Sequence, residues 1–389
     1  MLDDQMRTQR VAIIHYWLVS MRGGERVLEE LLRLFPQAEI FTHVADRSKL
    51  SPIILDRPLH ETFIARLPFA RTHYQKYLAL MPRALEEIDL SQFDLVISCE
   101  SGPAKGVIVP PHVPHICYVH TPMRYLWDQY PVYRSQLSGL KRAYFSMLAH
   151  RLRMWDVTSA SRVDRFIANS QFVADRVQRY YHREADVVNP PVDLGLYRLP
   201  VPAQPRSYYL FVSQLVHYKR PDLVIDAFRG LNQKLLVVGE GEEAAQLARD
   251  LPNNVFMLGR VSNEDLAKLY GCAKALIFPG EEDFGIVPVE AMSCGTPVIA
   301  YGRGGILDSV TEGVSGVFFD RQDAACLQAA VLRFERTYAR FDAQRISDLA
   351  QRFGAERFRR EISMIITSEV ANHSLRMNMV TAEGVPLPV

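Results

Sequence analysis

Two glutamates with seven residues between them, in Glu282-Asp-Phe-Gly-Ile-Val-Pro-Val-Glu290, are the side chains whose spacing points most directly to chemistry. Pro288 stands where a first helical turn tolerates proline, and Ala291-Met-Ser-Cys294 continues the helix until Gly295 stops it. The apolar run 275–278 reads as a strand, so Glu282 falls in a loop and a helix begins at about 284–286. Unpaired N–H groups and the positive end of the helix dipole at Phe284, Gly285 and Ile286 would hold phosphate or another anion. Glu290 lies about a turn further in, within reach of a ligand's hydroxyls. Two glutamates eight apart are common on surfaces. The Phe-Gly, Pro, Ala-Met and Gly-Thr-Pro-Val-Ile residues in register around them make the pattern specific.

Such a site has to be carried by strands that end on a common edge. Short apolar runs at 11–15, 95–98, 106–109, 115–119 and 165–168 alternate with helical stretches in the first half. The second half restarts at 208–213 and continues with runs at 234–238, 255–258, 275–278, 297–300 and 316–319. Helical patterns at 221–230, 242–250, 263–271 and 286–294 separate those runs. Short β-rich runs divided by helices predict parallel, doubly wound sheets. Between the halves, Asn189-Pro-Pro-Val-Asp193 and Pro200, Pro202 and Pro205 block regular structure and suit a linker. The expected organisation is α/β: an N-terminal Rossmann-like domain at 1–190, a linker at 191–206, and a C-terminal Rossmann-like domain at 207–353. Residues 354–389 form a C-terminal helix and tail that pack back on the N-terminal domain. Helical patterns run through 334, 343–353 and 356–366; beyond Ser368 the sequence predicts no element.

Composition excludes several classes. With 389 residues, the chain is too long for one ordinary core, and 48% hydrophobic residues exclude a disordered or disulfide-scaffold protein. A net charge of +1 offers no excess to neutralise nucleic acid. Five scattered cysteines (Cys99, Cys117, Cys272, Cys294, Cys326) form neither a CxxC pair nor a metal spacing, which suits reduced thiols in a cytoplasmic protein. No run approaches the ~18 apolar residues of a membrane span, and the N-terminus is polar. The neutral total conceals an asymmetry: residues 1–190 carry +4 and the remainder −3.

The sequence resembles the retaining GT-B glycosyltransferases of family 4 over nearly its whole length. The residues that carry the resemblance are Glu282…Glu290, the Gly23-Gly24 turn, Ser213-Gln-Leu-Val-His-Tyr-Lys219-Arg220, Val237-Val-Gly-Glu-Gly241, Leu258-Gly-Arg-Val261 and Gly304-Gly305. The stretch Cys117-Tyr-Val-His120-Thr-Pro-Met-Arg-Tyr-Leu-Trp127-Asp128 is similar to that of bacterial exopolysaccharide and O-antigen mannosyltransferases. The resemblance implies two Rossmann-like domains facing across a cleft, the one at 1–190 binding the acceptor and the one at 207–353 the nucleotide-sugar donor. It implies that Glu282 faces the reacting sugar, Glu290 binds the nucleotide ribose and Lys219 neutralises the departing diphosphate. His120 would contact the donor sugar, Gly23 and Gly24 would let the main chain approach the donor, and Val261 would lie near the base. The backbone of Phe284, Gly285 and Ile286 would cap the phosphates. Gln214 departs from the family, which has an arginine there, so one cation on the diphosphate is missing; Arg220 follows nearby but points elsewhere.

The reaction so implied is transfer of a sugar, with mannose from GDP-mannose as the donor, to a lipid-diphosphate-linked glycan. No Asp-x-Asp motif is present to hold a metal, and no metal or other cofactor is expected, the nucleotide-sugar being a substrate. A non-catalytic nucleotide-sugar-binding homologue and a sugar-nucleotide epimerase of the same fold are the alternatives. Glu100, Arg124 and Asp128 are further candidates for substrate contact. Two basic and aromatic clusters suit peripheral contact with an anionic membrane, on the inner face of the plasma membrane. One comprises Arg66, Arg71, Lys76 and Arg83 with Phe63, Phe69, Tyr74, Tyr77 and Leu80. The other comprises Lys141, Arg142, Arg151 and Arg153 with Tyr144, Phe145, Met147, Leu148 and Trp155.

Overall fold

The computed structural model describes residues 8–202 and 204–382. The chain divides into two compact units, one formed by residues up to Asn189 together with those from Phe358 onward, the other by Pro190–Arg357. The first holds a seven-stranded sheet in the order β3-β2-β1-β4-β5-β6-β7. Its strands are β1 Val11–His15, β2 Glu39–Thr42, β3 Leu59–Glu61, β4 Leu95–Glu100, β5 His115–Val119, β6 Arg165–Ala168 and β7 Ala185–Val187. The second holds six strands in the order β10-β9-β8-β11-β12-β13. These are β8 Tyr208–Val212, β9 Leu235–Val238, β10 Val255–Gly259, β11 Ala273–Phe278, β12 Val298–Tyr301 and β13 Gly316–Phe319. Every pairing in both sheets is parallel. Each unit is thus a Rossmann-like α/β layer, as the alternating runs predict.

The central strands are apolar on both faces because helices cover both sides. β1 and β5 are buried at every residue. The helix Gly23–Leu34 shows the complementary pattern, burying Val27, Leu28, Leu31 and Leu32 at i, i+1, i+4 and i+5 against β1 and β4.

Four expectations need correction. Residues 106–109 form no strand: the segment follows the Gly102–Gly106 turn, where a Cβ at Gly106 would sit 2.0 Å from the Trp155 ring. The edge strands β3 and β7 and their neighbour in the order, β2, carry too few apolar residues to signal themselves; β2 alternates half-buried and buried positions. The stretch 191–206 is not a free linker along its whole length. Val192 pairs with Gly354 and Tyr197 is buried in the core of the second unit. Finally, the stretch beyond Ser368 is helical to Ala382, as the end of a helix that starts at Ala355; the tail 383–389 lies outside the described residues. That helix seats Phe358, Ile362 and Ile366 in the core of the first unit beside Leu28, Leu31 and Tyr118.

A buried ion cluster braces the first unit. Lys105 is fully buried between Glu100 and Asp156, which are also fully buried. Its ammonium contacts Asp156 and lies 3.2 Å from Glu100 Oε1. The Ala104 and Lys105 amides donate to Glu100 Oε2 at 3.0 and 2.9 Å. Trp127 Nε1–H and the Tyr181 hydroxyl donate to Asp156 Oδ2 at 2.8 and 3.0 Å. Burial drives the Glu100 carboxyl upward, while the two carboxylates overcome desolvation and hold the Lys105 ammonium above its ordinary value. Removing one partner of such a set strands an uncompensated buried charge. Lys105→Met is therefore expected to cost about 3–5 kcal/mol of unfolding free energy, read as a lowered urea midpoint at pH 7.

Candidate active site

In the second unit, β8 and β11 are neighbours and run the same way, so the loops that follow them emerge side by side. The loop after β8 ends in a turn of 3-10 helix, His217–Lys219, and the loop after β11 carries Glu282. Lys219 Nζ lies 2.5 Å from Glu282 Oε1, both side chains being about one-fifth exposed. Gly285 follows with φ +87° and caps the helix Ile286–Ser293. No side chain is comfortable there, since the backbone is left-handed and a Cβ would meet Phe278 Cζ at 2.9 Å. The helix consequently starts with bare amides at Ile286 and Val287, which have no intrahelical acceptor. Phe284 is buried below them in the core.

Neighbouring loops hold this segment in place. The Gly305 amide donates to the Glu282 carbonyl at 2.8 Å, and a Cβ at Gly305 would fall 2.1 Å from the Asp283 carbonyl. The turn after β12 therefore lies directly on the Glu282 loop, which explains Gly304-Gly305. In the same way Gly239 and Gly241 pack on the carbonyls of Ser213 and Leu215, where Cβ atoms would fall at 1.8 and 2.2 Å. That turn supports the segment leading to Lys219. Glu290 is 5% exposed and its Oε2 accepts the Tyr270 hydroxyl at 3.1 Å; burial and this carboxylate push the tyrosine well up. Gln214 is exposed, and Val261 is half-buried against the core after β10. Arg220 is committed to Asp222 (Nε to Oδ1, 3.1 Å; Nη2 to Oδ2, 3.2 Å) and to the Gln322 carbonyl.

In the first unit a second polar group collects at the ends of β1, β5 and β6. Gly23 and Gly24 open a helix whose N-terminus faces His120, and a Cβ on Gly24 would meet Tyr16 Oη at 2.6 Å and His120 Nε2 at 3.5 Å. His120 follows β5. Its amide donates to the Glu100 carbonyl at 2.8 Å, and its own carbonyl accepts from Asn169 Nδ2 at 2.9 Å. Its Nε2 is enclosed without a hydrogen-bond partner among the described residues. Two further residues stand here that the sequence does not mark: His15 at the end of β1 and Glu25 in the first turn of the helix. A Ser or Thr three residues before Glu25 would have signalled a capping box; Arg22 occupies that position instead.

Glu100, suggested as a substrate contact, is fully buried in the Lys105 cluster and cannot serve as one. Asp128 accepts from Arg124 (3.1 Å) and Arg176 (2.9 Å), which ties its loop to the helix Gln171–Tyr181. Among the described residues no group of histidine, cysteine and carboxylate side chains has the arrangement of a metal site.

Residues 21–196 match the family model described as Glycosyltransferase Family 4, and residues 201–352 match that described as Glycosyl transferases group 1. The two matches follow one another along nearly the whole chain, which is therefore of the GT-B, family 4/group 1 type. Among curated proteins it is similar to the D-inositol 3-phosphate glycosyltransferase of Segniliparus rotundus, at 34% identity over 184 residues, 40% of this chain and 41% of that one. The protein of the same description from Mycolicibacterium smegmatis is 29% identical over 184 residues, 41% of this chain and 42% of that one. The chain thus covers about two fifths of the length of the curated relatives it matches. Among solved structures, Anabaena Alr3699/HepE in complex with UDP-glucose superposes with a TM-score of 0.67 at 18% identity, covering 92% of this chain and all of that one. Sucrose-phosphate synthase from Thermosynechococcus elongatus gives 0.70 at 17%, covering 94% and 100%. At these identities the likeness defines the fold.

Three buried histidines give the stability a pH signature. Burial pushes His43 down to about 4 and both His115 and His120 down to about 3. Each folded-state value lies below the ordinary 6.5, so the unfolded chain binds more protons between the two. The stability these residues carry is fully present above pH 6.5 and is lost as pH falls toward about 4 and then 3. Each contributes a slope of about 1.4 kcal/mol per pH unit in that window. Urea midpoints should hold level from pH 7.5 to about 6.5 and then fall steadily to pH 5.

Proposed function

We propose that the chain is a retaining glycosyltransferase that moves a sugar from a nucleotide-sugar to a lipid-diphosphate-linked glycan in cell-surface polysaccharide synthesis. The observation that carries this reading is the Lys219–Glu282 contact beside the bare amides of helix Ile286–Ser293. An ammonium and a helix N-terminus together suit a diphosphate leaving group, because both are cationic in effect and already oriented when charge develops. Glu282 is the acceptor for hydroxyls of the reacting sugar, and its pairing with Lys219 keeps both groups aimed at one place. Glu290, anchored by Tyr270, is the group for the ribose, and Val261 lies toward the base. Gln214 adds a hydrogen-bond donor where a second cation would strengthen the leaving-group site. His120 and the Gly23-Gly24 turn offer a neutral imidazole and side-chain-free backbone for the donor sugar. Retention follows from a front-face path in which the departing phosphate takes the proton of the acceptor hydroxyl.

GDP-mannose is the donor favoured by the mannosyltransferase-like stretch around His120. A UDP-sugar is the second reading, favoured by the bound UDP-glucose in the similar Anabaena protein. A phosphorylated polyol acceptor accompanies it, in line with the D-inositol 3-phosphate glycosyltransferases that the chain resembles in part. Thermal-shift titration with GDP, UDP and ADP separates the donors, since the nucleotide that binds the folded chain raises its midpoint. Stabilisation by GDP is expected, and stabilisation by UDP alone transfers the proposal to the second reading. Glu282→Ala is expected to cut glycolipid formation by about 10²-fold or more while leaving nucleotide binding in place. An epimerised donor, or binding with no product from any acceptor, would sink the transferase reading.

Peripheral contact with anionic lipid is supported by the helix Gly139–Ala160. It leaves Leu140 (90%), Tyr144, Met147 and Met154 exposed along one stripe at helical spacing, with Arg151 in the same row. Lys141 and Arg142 flank the stripe, and the helix's one carboxylate, Asp156, is turned inward and buried. Phe145 and Arg153 face inward instead, stacking on Tyr130, and Trp155 packs on the core. The cluster between Arg66 and Arg83 is mostly a small core of its own: Phe63, Tyr74 and Tyr77 pack around Ile64 and Ala70, and Phe69 stands out. No helix among the described residues is long and apolar enough to cross a membrane. Vesicles containing phosphatidylglycerol should sediment the protein at low salt, and the double substitution Leu140→Glu, Met147→Glu should release it.

A further inference from the structure

We infer that Glu25 is a positioning residue of the proposed transfer reaction, acting through His15 and Tyr16 on His120 and the Gly23-Gly24 turn. The inference rests on the transferase reading above. Glu25 is 3% exposed, and among the described residues no lysine or arginine forms an ion pair with its carboxylate. Its Oε2 accepts the Arg22 amide at 2.8 Å, which fixes the turn that two glycines would otherwise leave free. Its Oε1 lies 3.7 Å from His15 Nε2. Burial raises the carboxyl, but His15 and the Glu25 and Arg22 amides outweigh it and hold the group below the usual carboxylate range, so it is ionised.

His15 is 1% exposed, and both of its ring nitrogens are enclosed without a hydrogen-bond partner among the described residues. Its ring stacks on Tyr16 at 4.3 Å and 26°. The Tyr16 ring meets His120 edge-on at 6.4 Å, and its hydroxyl sits under Gly24. A continuous path of packed rings therefore leads from a buried negative charge to the imidazole nominated for the donor sugar. A merely local helix cap would need an acceptor for the Arg22 amide and no charge. The imidazole partner and the ring stack behind it are what a cap does not explain. Other groups facing Glu25 are Arg22, Tyr16 and Cys99.

Glu25→Gln separates the two roles, because the amide oxygen still caps Arg22 while the charge is lost. Two measurements on the full chain test it. In ring-nitrogen NMR spectra without any ligand, Glu25→Gln is expected to shift both the His15 and the His120 signals. An unmoved His120 overturns the inference whatever the enzyme's activity. In transfer assays with the donor that the nucleotide titration selects, kcat is expected to fall about 10- to 100-fold, the scale of a slight misplacement of catalytic groups. The donor KM should stay within about threefold, and the thermal midpoint should stay near that of the unaltered chain. A fall in the midpoint as large as that of Glu25→Ala, or an unchanged kcat, overturns it. Failure of the unaltered chain to turn over any donor sinks the transferase reading alone, since the NMR result stands apart from it.

Discussion

Parallel strands all end on the same edge, and that constraint organises everything else in each unit. A chain that must return to the same side of the sheet before every strand delivers one loop per strand to a common rim. In the second unit the rim receives Lys219 from β8, the Gly239 turn from β9, Glu282 from β11 and the Gly304-Gly305 turn from β12. In the first it receives His15 from β1, Glu100 from β4, His120 from β5 and Asn169 from β6. Residues more than sixty positions apart meet because adjacent strands point the same way. Loops crowded so closely approach backbone to backbone, and glycine is the residue that permits it. Gly239, Gly241, Gly304 and Gly305 stand at the rim of the second unit for that reason.

The two rims differ in charge. The second unit presents an ammonium paired with a carboxylate and a helix N-terminus, a set suited to an anion. The first presents a buried carboxylate and the His120 imidazole, which burial keeps neutral, a set suited to hydroxyls and hostile to phosphate. The charge asymmetry between the halves, +4 against −3, does not carry this distinction. Most of that charge is spent elsewhere, on exposed pairs such as Arg83–Glu87 and Arg165–Asp186 or on the outward face of helix Gly139–Ala160.

What the sequence made legible follows from how each element is stabilised. Central strands and amphipathic helices declare themselves because burial alone dictates their residues; all six strands of the second unit lie where apolar runs predict them. The edge strands β3 and β7 are three residues long and partly exposed, and their pairing partners, not their composition, make them strands. The segment Glu282–Glu290 was legible because several residue types are required at once around it. Glu25 and His15 were not. Each is ordinary at its own position, and only the fold makes them neighbours. Glu100 misled in the opposite direction, since nothing local announces that Lys105 and a helix fifty residues on will enclose it.

The last helix has a consequence for how the protein is made. Phe358, Ile362 and Ile366 complete a core whose other members were synthesised before Asn189. At about 5–20 residues per second, translation of the intervening unit takes roughly ten to thirty seconds. For that interval the nascent first unit carries an open apolar groove over Leu28, Leu31 and Tyr118. The second unit is continuous in the chain and can close by itself meanwhile. Folding order therefore runs against synthesis order: the half that leaves the ribosome first is the half that finishes folding last.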